Sequence, residues 1–264
     1  MSNNRFITTE KRDHIFLICL NRPEERNAVN MEMIHQLSDA FTEYEDDSTS
    51  RCAVLYANGM HFTFGLELHS VSKALVEQGG LRFAANNVDP LGVGFSSRTR
   101  TKPIICAVHG FCFTLGIELI LASDIAIAAE KTRFSQMEVT RGILPFGGAT
   151  FRFLRTAGWG NSMRYLLTGD DFGTEEALKM GIIQEVVQKK ELLNRALEFA
   201  GKIALQAPLA VQAVIANSQK YFIEGQREAI KDLTPTALRL MQTEDGKEGV
   251  NSFIEKRKPV YIGK

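Results

Sequence analysis

The 264-residue chain balances 31 Lys and Arg against 31 Asp and Glu, so no net field draws it onto nucleic acid or an anionic membrane. Its length suits one large core with a smaller appendage, and no uncharged apolar run reaches the roughly 18 residues that span a bilayer. Cys19, Cys52, Cys106 and Cys112 lie in apolar stretches without a CxxC pair, which reads as buried free thiols in a reducing compartment. The polar, acid-containing start, MSNNRFITTEKRDH, has neither the apolar stretch of a signal peptide nor the composition of a transit peptide, so the expected location is cytoplasmic.

In chain order, short apolar runs recur as HIFLICL at 14 to 20, CAVLYA at 52 to 57, PIICAVH at 103 to 109, DIAIAA at 124 to 129 and GIIQEVV at 181 to 187. Their length and β-branched content predict strands, several of them apolar on both faces as in sheets covered by helices. Between the first two, MEMIHQLSDAFTEYEDD places Met33, Ile34, Leu37, Phe41 and Tyr44 on one stripe, which predicts a helix packed on the sheet. Strand, helix and strand in alternation give an α/β fold. Residues 66 to 102, with Gly79-Gly80, Pro90, Gly92, Gly94 and the basic Arg98, Arg100 and Lys102, are the least regular stretch and read either as a ligand loop or as a solvated connection. From about residue 190 strands give way to three helical stretches, with Leu193, Leu197, Ala200 and Ala204 at helical spacing and Pro208 suited to the first turn of the next helix.

Two glutamates stand out. Glu118 in HGFCFTLGIEL and Glu138 in RFSQMEVTRGILPFGGATFR lie among glycines and apolar residues beside predicted strand ends. A carboxylate that loses water there has its pKa raised toward a useful proton donor or acceptor, and two could share one water. Two glycine turns accompany them: HFTFGLEL at 61 to 68 after one strand, and FTLGIEL at 113 to 119 after another, where Leu115 and Gly116 open a helix. Backbone N–H groups without a ladder partner, at a helix start, favour negative charge. Two such amides converging on one carbonyl oxygen would stabilise an oxyanion by roughly 3 to 4 kcal/mol per effective donor. Either turn alone is ordinary turn chemistry. His109 reads as a buried, hydrogen-bonded residue, His69 as a partly exposed helix residue, and Asp124 as a structural hydrogen-bond partner. No cluster has metal-ligand spacing and no phosphate-loop motif occurs.

The turns and acids, with LNRPEERNAVN at 20 to 30, KPIICAVHGFCFTLGIEL at 102 to 119, LTGDDFGTEEALKMGIIQEVV at 167 to 187 and EDGKEGVNSFIEKRKPVYIG at 244 to 263, resemble the crotonase, or enoyl-CoA hydratase/isomerase, superfamily nearly end to end. The resemblance implies a catalytic core of repeated ββα units over residues 1 to 190. It implies a C-terminal helical region over 191 to 264 that trimerises, with homotrimers or hexamers built as dimers of trimers. It implies an acyl-CoA thioester as substrate with no separate cofactor, while the balanced charge and the spacing of acids and histidines lead us to expect no nucleic acid, no membrane and no metal. In the family's pattern Phe64 and Leu115 supply the backbone N–H groups of the oxyanion hole, and Glu118 and Glu138 match both acidic residues of the hydratases. Arg26, Ala28, Leu66, Glu67 and Leu68 match neighbours of the coenzyme, while Phe253 and Lys256 match residues that reach the CoA of an adjacent subunit. Retention of both acids favours hydration. The alternatives are a double-bond isomerase using Glu138 alone and a catalytically poor binding or scaffold homologue. The chain departs from the pattern at Phe64, where a small residue is usual, at Thr114 and Leu115, where glycines are, and at Met137, where proline is common. The expected consequences are a narrowed acyl pocket, a tilted thioester or a site closed to ordinary straight-chain substrates, and a less restrained Glu138.

Overall fold

The computed structural model describes residues 5–264, so the first four residues of the polar N-terminal segment lie outside it. The chain begins with β1 (Ile7–Arg12), β2 (Ile15–Leu20), α1 (Met31–Asp46), β3 (Cys52–Ala57) and α2 (Leu68–Gln78). It continues through β4 (Ile104–Val108), β5 (Phe111–Phe113), α3 (Leu115–Ala122), β6 (Ile125–Ala129) and β7 (Arg133–Ser135). Then come α4 (Ala149–Ala157), α5 (Trp159–Thr168), β8 (Asp171–Gly173), α6 (Thr174–Lys179) and β9 (Glu185–Val187). Only helices follow: α7 (Leu192–Ala204), α8 (Pro208–Glu224), α9 (Gln226–Met241) and α10 (Glu244–Ile254).

The large sheet has the order β1-β2-β3-β4-β6-β9, antiparallel at the β1-β2 hairpin and parallel elsewhere. Its central strands read as unbroken apolar runs because both faces are covered. On one face α1 buries Met33, Ile34, Leu37, Phe41 and Tyr44, the stripe read from its periodicity, and Asn30 caps it by accepting the Met33 N–H at 2.8 Å. Each such side chain contributes about 1.5–3 kcal/mol by burial. On the other face Leu192, Ala196 and Ala200 of α7 pack against Leu17, Val54, Ile105 and Ile127. The helical run after residue 190 is therefore divided: α7 belongs to the sheet, whereas α8 buries none of its residues.

A second, three-stranded sheet has the order β5-β7-β8, and Thr63 bridges to Cys112 in parallel beside it. The chain thus repeats one motif. A long strand enters the large sheet, the next few residues pair in the small one, and a turn opens a helix. β3, Thr63 and α2 form one such unit, and β4, β5 and α3 the next; β6 and β7 begin another. Parallel pairing of the short segments sets their C-terminal ends side by side, and this brings the two glycine turns and the Glu138 segment together.

Several elements depart from expectation. The polar β1 pairs along its whole length with β2, Ile7 facing Leu20, although only Ile7 is buried. Within 66 to 102 the structure has α2 and then a loop gathered by one side chain: the buried Asp89 carboxylate accepts the N–H groups of Leu91, Val93, Gly94 and Phe95 at 2.9–3.0 Å. The basic residues of this stretch hold the fold together. Arg98 pairs with Asp46, Arg100 forks onto Asp124, and Lys102 Nζ donates to the Tyr44 and Asp47 carbonyls. Asp124 also accepts the Ile104 N–H, the structural role expected of it.

Candidate active site

The first half of the site is the pair of strand-to-helix turns. Thr63 N–H donates to the Phe111 carbonyl and Phe113 N–H to the Thr63 carbonyl, both at 3.1 Å, so Phe64 and Thr114 leave adjacent segments at the same level. Among the described residues, neither the Phe64 N–H nor the Leu115 N–H donates to any group of the chain. Leu115 is the first residue of α3, where an amide has no acceptor inside the helix. The result is two free donors on neighbouring turns.

The bulky side chains at these positions are taken up by packing. Leu115 is buried in the main core. The Phe64 ring lies edge-on to Phe111 at 5.2 Å and Phe113 at 5.4 Å, with the Arg26 guanidinium 5.0 Å from its centroid. Buried Asn27 fixes the turn beneath by accepting the Arg22 N–H and donating to the Asn58 and His61 carbonyls, while its own carbonyl accepts from Thr63 Oγ1. Thr114 accommodates the site differently. Its φ of 48° and ψ of −108° are those of the first central residue of a type II′ turn, a place for glycine. A β-branched residue held there costs of order 1–3 kcal/mol. Its hydroxyl presses on Gly65, where an added Cβ would stand 1.8 Å from Thr114 Oγ1.

Glu118 follows Leu115 by one helical turn and is 4% exposed. Its Oε1 accepts the Gly147 N–H at 2.7 Å and the Ala149 N–H at 3.3 Å, donors at the start of α4. The approach is so close that a Cβ on Gly147 would fall 2.4 Å from Glu118 Oε2. Burial, with the charge of Glu138 second, pushes the Glu118 carboxyl up to about 7 against the pull of those N–H groups. Glu138 opens a 3₁₀ turn directly after β7 and is 8% exposed. Its Oε1 accepts Gln136 Nε2 at 2.9 Å, its Oε2 has no hydrogen-bond partner among the described residues, and burial raises its carboxyl to about 7 as well. Met137 adopts φ −96°, outside the range a proline ring allows, so the segment that aims Glu138 takes a shape the commoner residue would not.

Two buried carboxyls raised to about 7, the first in part by the charge of the second, can divide their roles, one protonated and one ionised. Beside them stand two free amides. Such an arrangement can polarise a carbonyl while moving protons at neighbouring carbons.

The family model of enoyl-CoA hydratase/isomerase matches residues 10–264. The chain belongs to this family, and so to the crotonase superfamily of enzymes. It is 32% identical to an enoyl-CoA hydratase of Mycobacterium tuberculosis over 254 residues, covering 96% of this chain and 94% of the relative. It is 32% identical to a short-chain-enoyl-CoA hydratase of Clostridium acetobutylicum over 259 residues, covering 96% and 95% of the two chains. A crystal structure of a probable enoyl-CoA hydratase/isomerase from Mycobacterium abscessus superposes with a TM-score of 0.94 at 43% identity, covering 98% of this chain and 99% of that one. This member of the crotonase superfamily has the family's α/β fold.

The expected coenzyme neighbours divide into two groups. Arg26 contacts the Phe64 ring. Ala28 lies in the adjoining turn, with its carbonyl accepting Arg22 Nη1. Leu66 bridges to Val29, Glu67 pairs with Arg22, and Leu68 opens α2. All five border the first turn. Phe253, 85% exposed, and Lys256 stand at the end of α10, which packs on α9, and among the described residues no hydrogen bond or ring contact ties them to the site. His109 is buried with Nε2 3.1 Å from the Gly59 carbonyl, and His69 is exposed on α2. The sequence reading missed Gln136 and Gly147. Their signals were slight, a glutamine two residues before an acid and one member of a glycine pair.

Proposed function

We propose that this enzyme is a hydro-lyase that adds water reversibly across the α,β double bond of an enoyl-CoA thioester. The observation that carries the reading is the pair of buried carboxyls raised to about 7, Glu118 in part by the charge of Glu138, beside two backbone amides without a partner among the described residues. The thioester oxygen accepts from the Phe64 and Leu115 N–H groups, which draws electron density off the β-carbon. Glu118, whose ionised form is favoured by the Gly147 and Ala149 amides, takes a proton from water as the oxygen bonds to the β-carbon. Glu138, with Oε1 tied to Gln136 and Oε2 free, gives its proton to the α-carbon as the enolate collapses. The two acids exchange protonation states in one turnover, and solvent resets them. Arg26, Ala28, Leu66, Glu67 and Leu68 receive the coenzyme on the side of the first turn, and the thioester is substrate, with no further cofactor.

Loss of the conjugated thioester absorbance on mixing with crotonyl-CoA and longer enoyl-CoAs tests this. Folded protein without turnover at any chain length sinks it. The isomerase reading draws on the free Glu138 oxygen, which suffices to carry a proton between two carbons. Under it Glu118→Ala leaves double-bond migration nearly intact. We further propose a homotrimer or hexamer, supported by the apolar side chains that α8 to α10 expose, among them Tyr221, Phe222, Ile223, Leu233 and Phe253. Such an assembly would give Phe253 and Lys256 a neighbouring subunit's coenzyme to meet.

A further inference from the structure

We propose that the Thr114 hydroxyl is a third hydrogen-bond donor to the thioester oxygen, acting with the Phe64 and Leu115 amides; this rests on the acyl-CoA reading above.

Four observations converge on it. Thr114 is covalently next to Leu115, and its hydroxyl crowds Gly65, the residue next to Phe64, so it adjoins the residues beside both free donors. Among the described residues that hydroxyl has no hydrogen-bond partner, although its neighbours Thr63 and Ser135 both spend theirs on backbone carbonyls, Asn27 and Gly169. Its own N–H is committed to the Ser135 carbonyl at 2.8 Å, and its carbonyl accepts from Ile117 and Glu118. The backbone is thus pinned on both sides while the side chain stays free. Finally, the turn demands dihedrals that glycine adopts without cost and threonine does not, so the chain tolerates strain at this position to place a hydroxyl there.

The chemistry fits the donor set. Negative charge grows on the thioester oxygen as water adds to the β-carbon, and an oxygen carrying charge accepts more than two hydrogen bonds. A hydroxyl rotates to follow that oxygen, whereas the two amides are fixed by the turns. No bond to Thr114 forms or breaks. The proton stays on its oxygen throughout.

Three substitutions separate the hydroxyl from the shape of the side chain. Thr114→Val keeps the branch and removes the donor, Thr114→Ser keeps the donor, and Thr114→Gly removes both while relieving the backbone. The readouts are kcat and KM for enoyl-CoA hydration, and the absorbance of a bound conjugated thioester such as 4-dimethylaminocinnamoyl-CoA, whose red shift reports polarisation of the carbonyl. The expected result is a 10- to 100-fold fall in kcat for Val and Gly with KM within threefold, a diminished red shift in both, and near-normal values for Ser. Thr114→Gly should also melt at a higher temperature than the native protein. A folded Thr114→Val or Thr114→Gly with native kcat and red shift overturns the proposal and leaves the hydratase reading standing. Native protein that polarises the bound thioester without hydrating any enoyl-CoA overturns the hydratase reading, and the red shifts of the variants still decide the role of Thr114. Native protein that neither binds nor polarises a thioester overturns both.

Discussion

Glu118 and Glu138 share burial and a raised pKa, yet they are held in opposite ways. Glu118 sits on a regular helix and is gripped by two backbone amides from a segment 29 residues further along, with a glycine pressed against its second oxygen. Glu138 sits on an irregular turn and is held by one side chain only two residues away, with its second oxygen bare. Long-range backbone donors fix a carboxylate and favour its charge, while a local side-chain tether leaves one oxygen free to carry a proton. The contrast teaches how one buried site can set two chemically identical groups to different tasks.

The most severe way to break the comparison is to remove each charge in turn. Glu118→Gln and Glu138→Gln should each lower kcat for hydration by roughly 10²–10⁴, with acyl-CoA binding retained in calorimetry. If only Glu138→Gln does so, the two walls are not partners. Gly147→Ala comes next. Its methyl group meets Glu118 Oε2, so we expect about 10- to 100-fold loss of kcat and a fold weakened by about 1–3 kcal/mol in urea titration, with the Glu138 wall untouched. Gln136→Leu tests the other wall. It takes away a hydrogen bond that favours the ionised Glu138, so that carboxyl should titrate higher and the pH–rate profile should shift toward alkaline pH, with kcat reduced about tenfold at neutrality.

The pH profile of the native enzyme sharpens the same contrast. With both carboxyls near 7, acid protonates the base and alkali ionises the acid, so kcat should peak near neutrality and fall on both sides. Stability follows a different course. Both groups titrate higher folded than the 4.5 of a free glutamate, so the folded chain binds more protons than the unfolded one between those values. Their contribution is fullest below about 4.5 and declines as pH rises through 7. Glu118→Gln should therefore raise Tm by a few degrees at pH 8 and change it little at pH 4.5. The smallest effect should come from Phe253→Ala and Lys256→Ala, with KM for the acyl-CoA rising only a few fold in steady-state assays.

The long strands and α1 were legible because five or more residues of unbroken or periodic apolar character leave a pattern. β5, β7 and β8 have three residues each, too few for any period, and the polar β1 was invisible because only Ile7 is buried. Within the site, Glu118 and Glu138 stood out as charges among apolar neighbours. Gln136 did not, because its role depends on which way its amide faces a carboxylate in three dimensions. Gly147 acts across 29 residues, a distance no local motif spans. Thr114 was noticed as a departure from the family, but a threonine gives no hint that its φ is positive.

The repeat that aligns Phe64 with Leu115 has an evolutionary corollary. The two positions hold equivalent rank in successive units, and in the proposed mechanism each contributes only its peptide N–H, which every residue but proline possesses. Under that mechanism, a substitution at either would change the space beside the thioester and leave both N–H donors in place.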